Sequence, residues 1–156
     1  MNSKWPQHMV VATVVEKDGK FLLVFEKDGD RCVYNQPAGH WDEGETIQAA
    51  ALRETREETC WEVKLNYIIG QYQYYSPHNH VTYFRTAFAA TATQRVSDKL
   101  DKEIIEAVWL GYDEILARRE QLRSPLGAIL VIDTVESVAA YSLLEPLVRP
   151  RVGGGR

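Results

Sequence analysis

A chain of 156 residues, 45% hydrophobic and 26% charged, is long enough for one domain with its own core, and this composition excludes a disordered or fibrous protein. The formal net charge of −4 offers no broad attraction to nucleic acid or to an anionic membrane surface, so a polyanionic substrate would need positive charge from elsewhere, most simply a divalent cation. The two cysteines, Cys32 and Cys60, form no C-x-x-C pair and suggest neither zinc nor dithiol chemistry.

In chain order, residues 9–16 (MVVATVVE) read as a strand, Asp18-Gly19 as a turn, and residues 20–26 (KFLLVFE) as a second strand, the two forming a hairpin. Asp28-Gly29-Asp30 is a further turn, residues 31–36 a short strand and residues 37–44 a loop. Residues 45–59 contain Ala, Glu, Leu and Arg but neither Gly nor Pro, which predicts a helix. Residues 61–90 alternate aromatic and β-branched positions, with Pro77 marking a break between strands, and residues 104–110 form another strand. Asp113 caps a helix to about residue 122, and Ser124-Pro125 opens a last helix that runs to about Tyr141. Strands before, between and after helices predict an α/β domain over residues 1–148, a mixed sheet with helices on both faces, followed by a frayed tail at 149–156. No apolar run is long enough to cross a bilayer, and residues 1–7 lack the order of a signal peptide, so the expected location is the cytoplasm.

The informative stretch is Arg53-Glu54-Thr55-Arg56-Glu57-Glu58. Glu54, Glu57 and Glu58 stand at i, i+3 and i+4, neighbours on one helical face. Three like charges there repel unless something compensates, and two compensations fit: ion pairs with Arg53 and Arg56 on a solvated face, or a hard cation such as Mg²⁺, which prefers oxygen ligands. Gly39 and Glu45 complete the pattern G-x5-E-x7-R-E-x-x-E-E, whose six fixed positions arise by chance on the order of 10⁻⁷ per starting position.

This pattern resembles the signature of the Nudix hydrolase superfamily. The resemblance implies a Nudix-type α/β/α sandwich with a mixed sheet, and a Mg²⁺- or Mn²⁺-dependent hydrolase of phosphoanhydride bonds in small organic di- or triphosphates. It implies Glu54, Glu57, Glu58 and the backbone carbonyl of Ala38 as metal ligands. Glu57 and Arg53 are carried as catalytic residues, with Arg53 and Glu45 orienting the ligands. Gly39 fits a place where backbone must come close or turn sharply. Two positions depart from the family pattern: Cys60 stands where a glycine is usual, and Trp61 where an aliphatic residue is usual. A left-handed Cys60 costs about 1–2 kcal/mol; otherwise the helix runs on.

The attacking water needs a base, and the acidic stretch 98–106 (DKLDKEIIE) supplies candidates: Glu103 first, with Asp101 and Glu106 as rivals. The runs 34–40 (YNQPAGH) and 122–126 (LRSPL) further resemble a bacterial phosphatase branch of the family. That branch implies nucleoside tri- and diphosphates and the pyrophosphate ester of the thiamine pyrimidine precursor as substrates, with orthophosphate released. Arg85 and Arg123 are candidates for phosphate contact because guanidinium matches phosphate geometry. Tyr34, Tyr74 and Trp5 are candidates for stacking on a flat ring, although strand aromatics commonly serve packing. His78 and His80 make an H-x-H that suits a loop or substrate contact better than a metal. The expected partner is a small-molecule di- or triphosphate, with no nucleic acid or membrane, in a monomer or small homo-oligomer. The competing functions are a non-catalytic Nudix-like domain that binds a nucleotide or protein, which usually has a damaged signature, and an isomerase of isopentenyl diphosphate, for which neither cysteine is placed.

Overall fold

The computed structural model describes residues 7–135. Among these, the strands are β1 (Gln7–Lys17), β2 (Lys20–Asp28), β3 (Arg31–Asn35), β4 (Ala38–His40), β5 (Trp61–Ser76), β6 (Val81–Arg95) and β7 (Ile104–Gly111), and the helices are α1 (Ile47–Thr59), α2 (Tyr112–Ala117) and α3 (Leu126–Val135), with one 3₁₀ turn at Arg119–Gln121. Strand periodicity explains the framework. Along β1, Val11, Thr13 and Val15 alternate with Ala12 and Val14, and all five are buried, so β1 lies inside the sheet with both faces covered. It pairs in parallel with β6, from Gln7 opposite Thr82 to Glu16 opposite Thr91. The other pairings are antiparallel, which makes the sheet mixed, in the order β3-β2-β1-β6-β5 with β4 on β1 and β7 on β2.

The expected hairpin between β1 and β2 is only its own tip. Asp18 and Gly19 both have positive φ (52° and 75°), the geometry of a tight hairpin turn. The pairing extends over Glu16 with Phe21 and Lys17 with Lys20. Beyond that the strands part, and the chain at 35–41 fills the wedge. Thr13 N–H donates to Pro37 O (3.0 Å), β4 pairs with Val10, Val11 and Ala12, and Trp41 N–H donates to Met9 O (3.2 Å). Residues 37–44 are therefore not all loop. Backbone groups exposed by the parting strands need partners, and the segment that carries Gly39 satisfies them.

Helix α1 begins two residues later than propensity suggests. Thr46 is its cap, accepting from Ala49 N–H (3.1 Å), and Glu45 lies outside it. Its buried side, with Ala50, Ala51 and Thr55, packs on Val11 and Phe88, and Thr55 Oγ1 meets Thr13 Oγ1 at 2.7 Å. The opposite face of the sheet is covered by α2 and α3 through Ile115, Leu126, Leu130 and Val131, against Ala12, Val14, Leu23 and Ala87. Removing one such side chain, Leu130 to alanine, should cost about 2–5 kcal/mol. The result is the α/β/α sandwich that the resemblance implies.

Two helix boundaries differ from expectation. Extended Gly111 occupies the cap position assigned to Asp113, its N–H donating to the Glu114 carboxylate (3.0 Å), so α2 starts and stops early and a 3₁₀ turn follows. The last helix opens at Leu126. Its expected end near Tyr141, the tail and Trp5 lie outside the described residues. Among the described residues no helix is long and apolar enough to cross a membrane. Cys32 and Cys60 are both free thiols.

Candidate active site

Arg53 organises the exposed flank of α1. Its Nε and Nη2 bind both oxygens of Glu45 (2.7 and 2.9 Å), its Nη1 reaches Glu54 (2.9 Å) and Glu57 (3.2 Å), and its Nη2 also donates to His40 O (3.1 Å). Asp42 adds a further ion pair at 3.2 Å. The hydrogen bond from Arg53 holds the Glu45 carboxyl below its usual range, and Glu45 and Glu54 together hold the guanidinium well above its own. Outside the helix, Glu45 fastens the incoming loop as well, accepting from Asp42 N–H (3.1 Å). Arg53 thus ties the helix to the loop.

The three glutamates differ in setting. The Glu57 side chain is 44% exposed. Glu58 is buried, and one of its oxygens accepts from Ala38 N–H (2.8 Å). Burial pushes its carboxyl up to about 9, and Glu26, Glu54 and Asp101 add repulsion that the Ala38 amide only partly offsets. Burial also raises Glu54, against the pull of Arg53. The carboxylate of Glu54 lies against Gly39, where any Cβ would overlap it. The strand that fills the β1–β2 wedge therefore passes directly under two of the glutamates. Ala38 meets the site through its amide; its carbonyl, the ligand that the resemblance implies, lies on the same strand.

Glu54 and Glu58 fit a hard divalent cation: they are oxygen donors, partly desolvated, whose ionised forms the site disfavours until positive charge is added. Among the described residues no three acidic or imidazole side chains are already gathered closely enough to hold an ion. Repulsion explains this, since Glu54 and Glu57 lean on Arg53 while Glu58 leans on the Ala38 amide.

On the other side of Gly39 opens a cleft of about 230 Å³, lined by Ala38, Gly39, His40, Tyr74, Arg85 and Arg123 among others. Arg85 is held in β6 between Val10 and Tyr72, and its Nε and Nη1 are buried without a hydrogen-bond partner. Burial, with Arg123 nearby, lowers its guanidinium to about 10, which leaves it charged at neutral pH. Arg123 is anchored instead: Nη1 binds buried Glu26 (2.9 Å), Nη2 lies 3.8 Å from Asp28, and its N–H donates to Tyr34 O (2.8 Å). Burial pulls Arg123 down, but Glu26 and Asp28 outweigh it and hold it above its ordinary value.

The structure divides the remaining candidates. Tyr74 lines the cleft, whereas Tyr34 packs against Phe25 with ring centroids 4.8 Å apart. His78 lines the cleft, while His80 turns to Tyr75 OH (2.8 Å). Of the acidic loop, Asp101 is fastened to α1, its N–H donating to Glu57 O (3.2 Å), and its charge reaches Glu54 and Glu58. Glu103 gives its backbone carbonyl to Lys27 N–H (3.2 Å) and is exposed, and Glu106 is exposed on β7 opposite Phe25. Cys60 ends α1 in the left-handed conformation (φ 63°) and does not extend it. Residues not singled out from sequence also join the site. Glu26, an acidic side chain buried on a strand of apolar neighbours, had a visible signal in that contrast. His40, whose Nε2 meets His8 Nδ1 at 2.9 Å, and Tyr83 had none.

The chain as a whole resembles known proteins. The chain is 37% identical over 135 residues to the phosphatase NudJ of Escherichia coli K12 and of Shigella boydii serotype 4, covering 86% of this chain and 82% of each relative. A NUDIX hydrolase from Nitrosomonas europaea superposes with a TM-score of 0.79 at 37% identity, covering 83% of this chain and 88% of that one. A MutT protein from Methanosarcina mazei Go1, at 22% identity and a TM-score of 0.66 over 85% of this chain and 96% of that one, shares the fold. The NUDIX domain model matches residues 6–129, a span that takes in the glutamate helix, the Gly39 strand and both cleft arginines, and the chain belongs to that family.

Proposed function

We propose that this protein hydrolyses phosphoanhydride bonds in small organic di- and triphosphates with the help of Mg²⁺ or Mn²⁺, as a phosphatase of the NudJ kind. Nucleoside tri- and diphosphates and the pyrophosphate ester of the thiamine pyrimidine precursor are its substrates. One observation carries the reading: the carboxyl groups of Glu54 and Glu58 lie partly desolvated behind Ala38 and Gly39, and a guanidinium with two buried, unpartnered nitrogens lines the cleft in front of them. Glu54, Glu57, Glu58 and the Ala38 carbonyl hold the cation. When bound, it supplies positive charge to the phosphate oxygens and to the attacking water.

The chain's own groups do the rest. Arg53 and Glu45 keep the carboxylates aimed and the loop closed on the helix. Arg85 and Arg123 face the phosphates, and Tyr74 offers its ring to the organic part. The base comes from the acidic loop outside the signature. Glu103 is a candidate by sequence, and the attachment of Asp101 to α1 favours Asp101 over it. The partner is a small molecule rather than a nucleic acid, and the protein works in the cytoplasm as a monomer or small homo-oligomer.

The test is a phosphate-release screen over nucleoside di- and triphosphates and pyrophosphate monoesters, with Mg²⁺ or Mn²⁺ and again in excess chelator. Release that requires the metal is the expected result. Silence across the whole panel, or undiminished turnover in chelator, overturns the proposal.

A further inference from the structure

The cleft is lined by donors that a folded protein rarely leaves unmet. Arg85 Nε and Nη1 and Ser124 Oγ are all buried without a hydrogen-bond partner. Buried polar groups are ordinarily paired, and an unpaired buried cation is costly unless a ligand restores what water supplied. Arg85 and Ser124 line the same cleft, together with Arg123. Arg85 has little freedom to escape, because its backbone is locked in the middle of the sheet, opposite Val10 on one side and Tyr72 on the other. Arg123 sits differently, with its charge met by Glu26 and its backbone tied to Tyr34. Glu26 cannot serve both guanidinium groups equally: it bonds Arg123 at 2.9 Å and leaves the Arg85 donors open.

Two guanidinium groups and a hydroxyl lining one small cleft make a donor set for a tetrahedral oxyanion. A planar carboxylate has only two oxygens to offer, whereas a terminal phosphoryl group has three, and charge-assisted guanidinium contacts favour it. We infer that Arg85, Arg123 and Ser124 form a preformed seat for a terminal phosphoryl group, in which Arg85 supplies donors that no protein group meets. This rests on the cleft being the substrate site and deepens that reading. The favoured substrate ends in a phosphate substituted on one oxygen only, and a diphosphate esterified at both ends cannot fill the seat. Orthophosphate, which carries the same oxygens, occupies it alone.

The experiment is a titration of the purified full-length protein with sodium phosphate, against sodium chloride at equal ionic strength, read by calorimetry and by thermal melting. It is run with and without Mg²⁺. Wild type should bind phosphate and melt at a higher temperature in it. Arg85→Met should weaken phosphate binding about tenfold or more, the scale of a lost charged hydrogen bond. Because it removes a buried unpaired charge, Arg85→Met should leave the phosphate-free Tm unchanged or higher. Arg85→Lys should recover part of the binding, and Ser124→Ala should lose a few-fold. The seat is refuted by the absence of phosphate-specific binding in wild type, by unchanged affinity in Arg85→Met, or by a lowered phosphate-free Tm in that variant. Phosphate release across the same panel of nucleoside di- and triphosphates and pyrophosphate monoesters, with Mg²⁺ or Mn²⁺, is followed on the same samples. An inactive wild type that binds phosphate through Arg85 refutes the hydrolase and keeps the seat; an active one indifferent to Arg85 refutes the seat and keeps the hydrolase.

Discussion

Two regions meet at Gly39 and are charged in opposite senses. Behind it, around Arg53, acidic side chains outnumber their cation: Arg53 is shared among Glu45, Glu54, Glu57 and Asp42, while the buried Glu58 carboxyl accepts from the Ala38 amide. In front of it, in the cleft, Glu26 is spent on Arg123 and Arg85 has no counter-charge in contact. Neither region is well satisfied alone, because a desolvated charge without a partner is destabilising on either side. On the proposed function, a cation bound to a phosphate would complete both at once. The difference teaches that Arg53 and Arg85, the same residue type, stand in opposite positions: the donors of one are taken up by neighbouring carboxylates, and two donors of the other meet no protein group.

The largest effects should come from the acidic region. Glu58→Gln should lower kcat on the order of 10³-fold, since metal ligation contributes several kcal/mol to transition-state stabilisation. The same change should alter stability with a predictable sign. The folded Glu58 carboxyl is raised from an ordinary value of 4.5 to about 9. Its contribution to stability is therefore intact below pH 4.5 and is lost as pH rises through about 9. Metal-free wild type should lose Tm over that window more steeply than Glu58→Gln, and Mg²⁺ should restore it in wild type. Parallel Tm-against-pH curves for the two proteins would show that the Glu58 charge is already compensated.

Next in size is the base. Asp101→Asn should cut kcat about 10²-fold with little change in KM, the low end for a lost general base. Glu103→Gln should change it only slightly, because that residue meets the sheet through its backbone. The reverse ranking would restore Glu103. Smaller again is Gly39→Ala, about tenfold in kcat. The added Cβ meets the far end of the Glu54 side chain, which can swing away cheaply, so Tm should hardly move while the displaced carboxylate spoils the geometry. A large fall in Tm would mean that Gly39 serves the backbone rather than the glutamate.

Much of the acidic region was legible in the sequence. Helix spacing puts Glu54, Glu57 and Glu58 on one face, and the acidic partners of Arg53 lie within eleven residues of it. The cleft was legible only in part. Arg85 stands out as a charge in an apolar strand, but its lack of a partner depends on Glu26 choosing Arg123, a contact between residues 97 apart. Nor does periodicity reveal that β1 and β2 separate after two pairs, so the strand at Gly39 read as loop. Tyr34 and Tyr74 look alike in sequence, and only the fold sends one to Phe25 and the other to the cleft.

The smallest effect should isolate the scaffold from both charged regions. Thr46 caps α1 with an extended backbone (φ −76°, ψ 157°), and its hydroxyl oxygen accepts from Ala49 N–H at 3.1 Å. Loss of such a cap costs about 1 kcal/mol, because a helix-end amide then relies on water. In a domain of this size that lowers Tm by roughly 2–4 °C. The cap lies at the opposite end of α1 from Glu57 and Glu58, and Arg53 still fastens the preceding loop through Glu45. Thr46→Ala should therefore shift the melting curve by that amount and leave kcat, KM and phosphate affinity within about twofold of wild type, since the bonds that aim the glutamates are untouched. Thr46→Ser, which keeps the acceptor, should recover the Tm. If Thr46→Ala instead lowered kcat in proportion to Glu58→Gln, the charged face would be governed by the folding of the helix end, and the division between a stable scaffold and two frustrated charge clusters would fail.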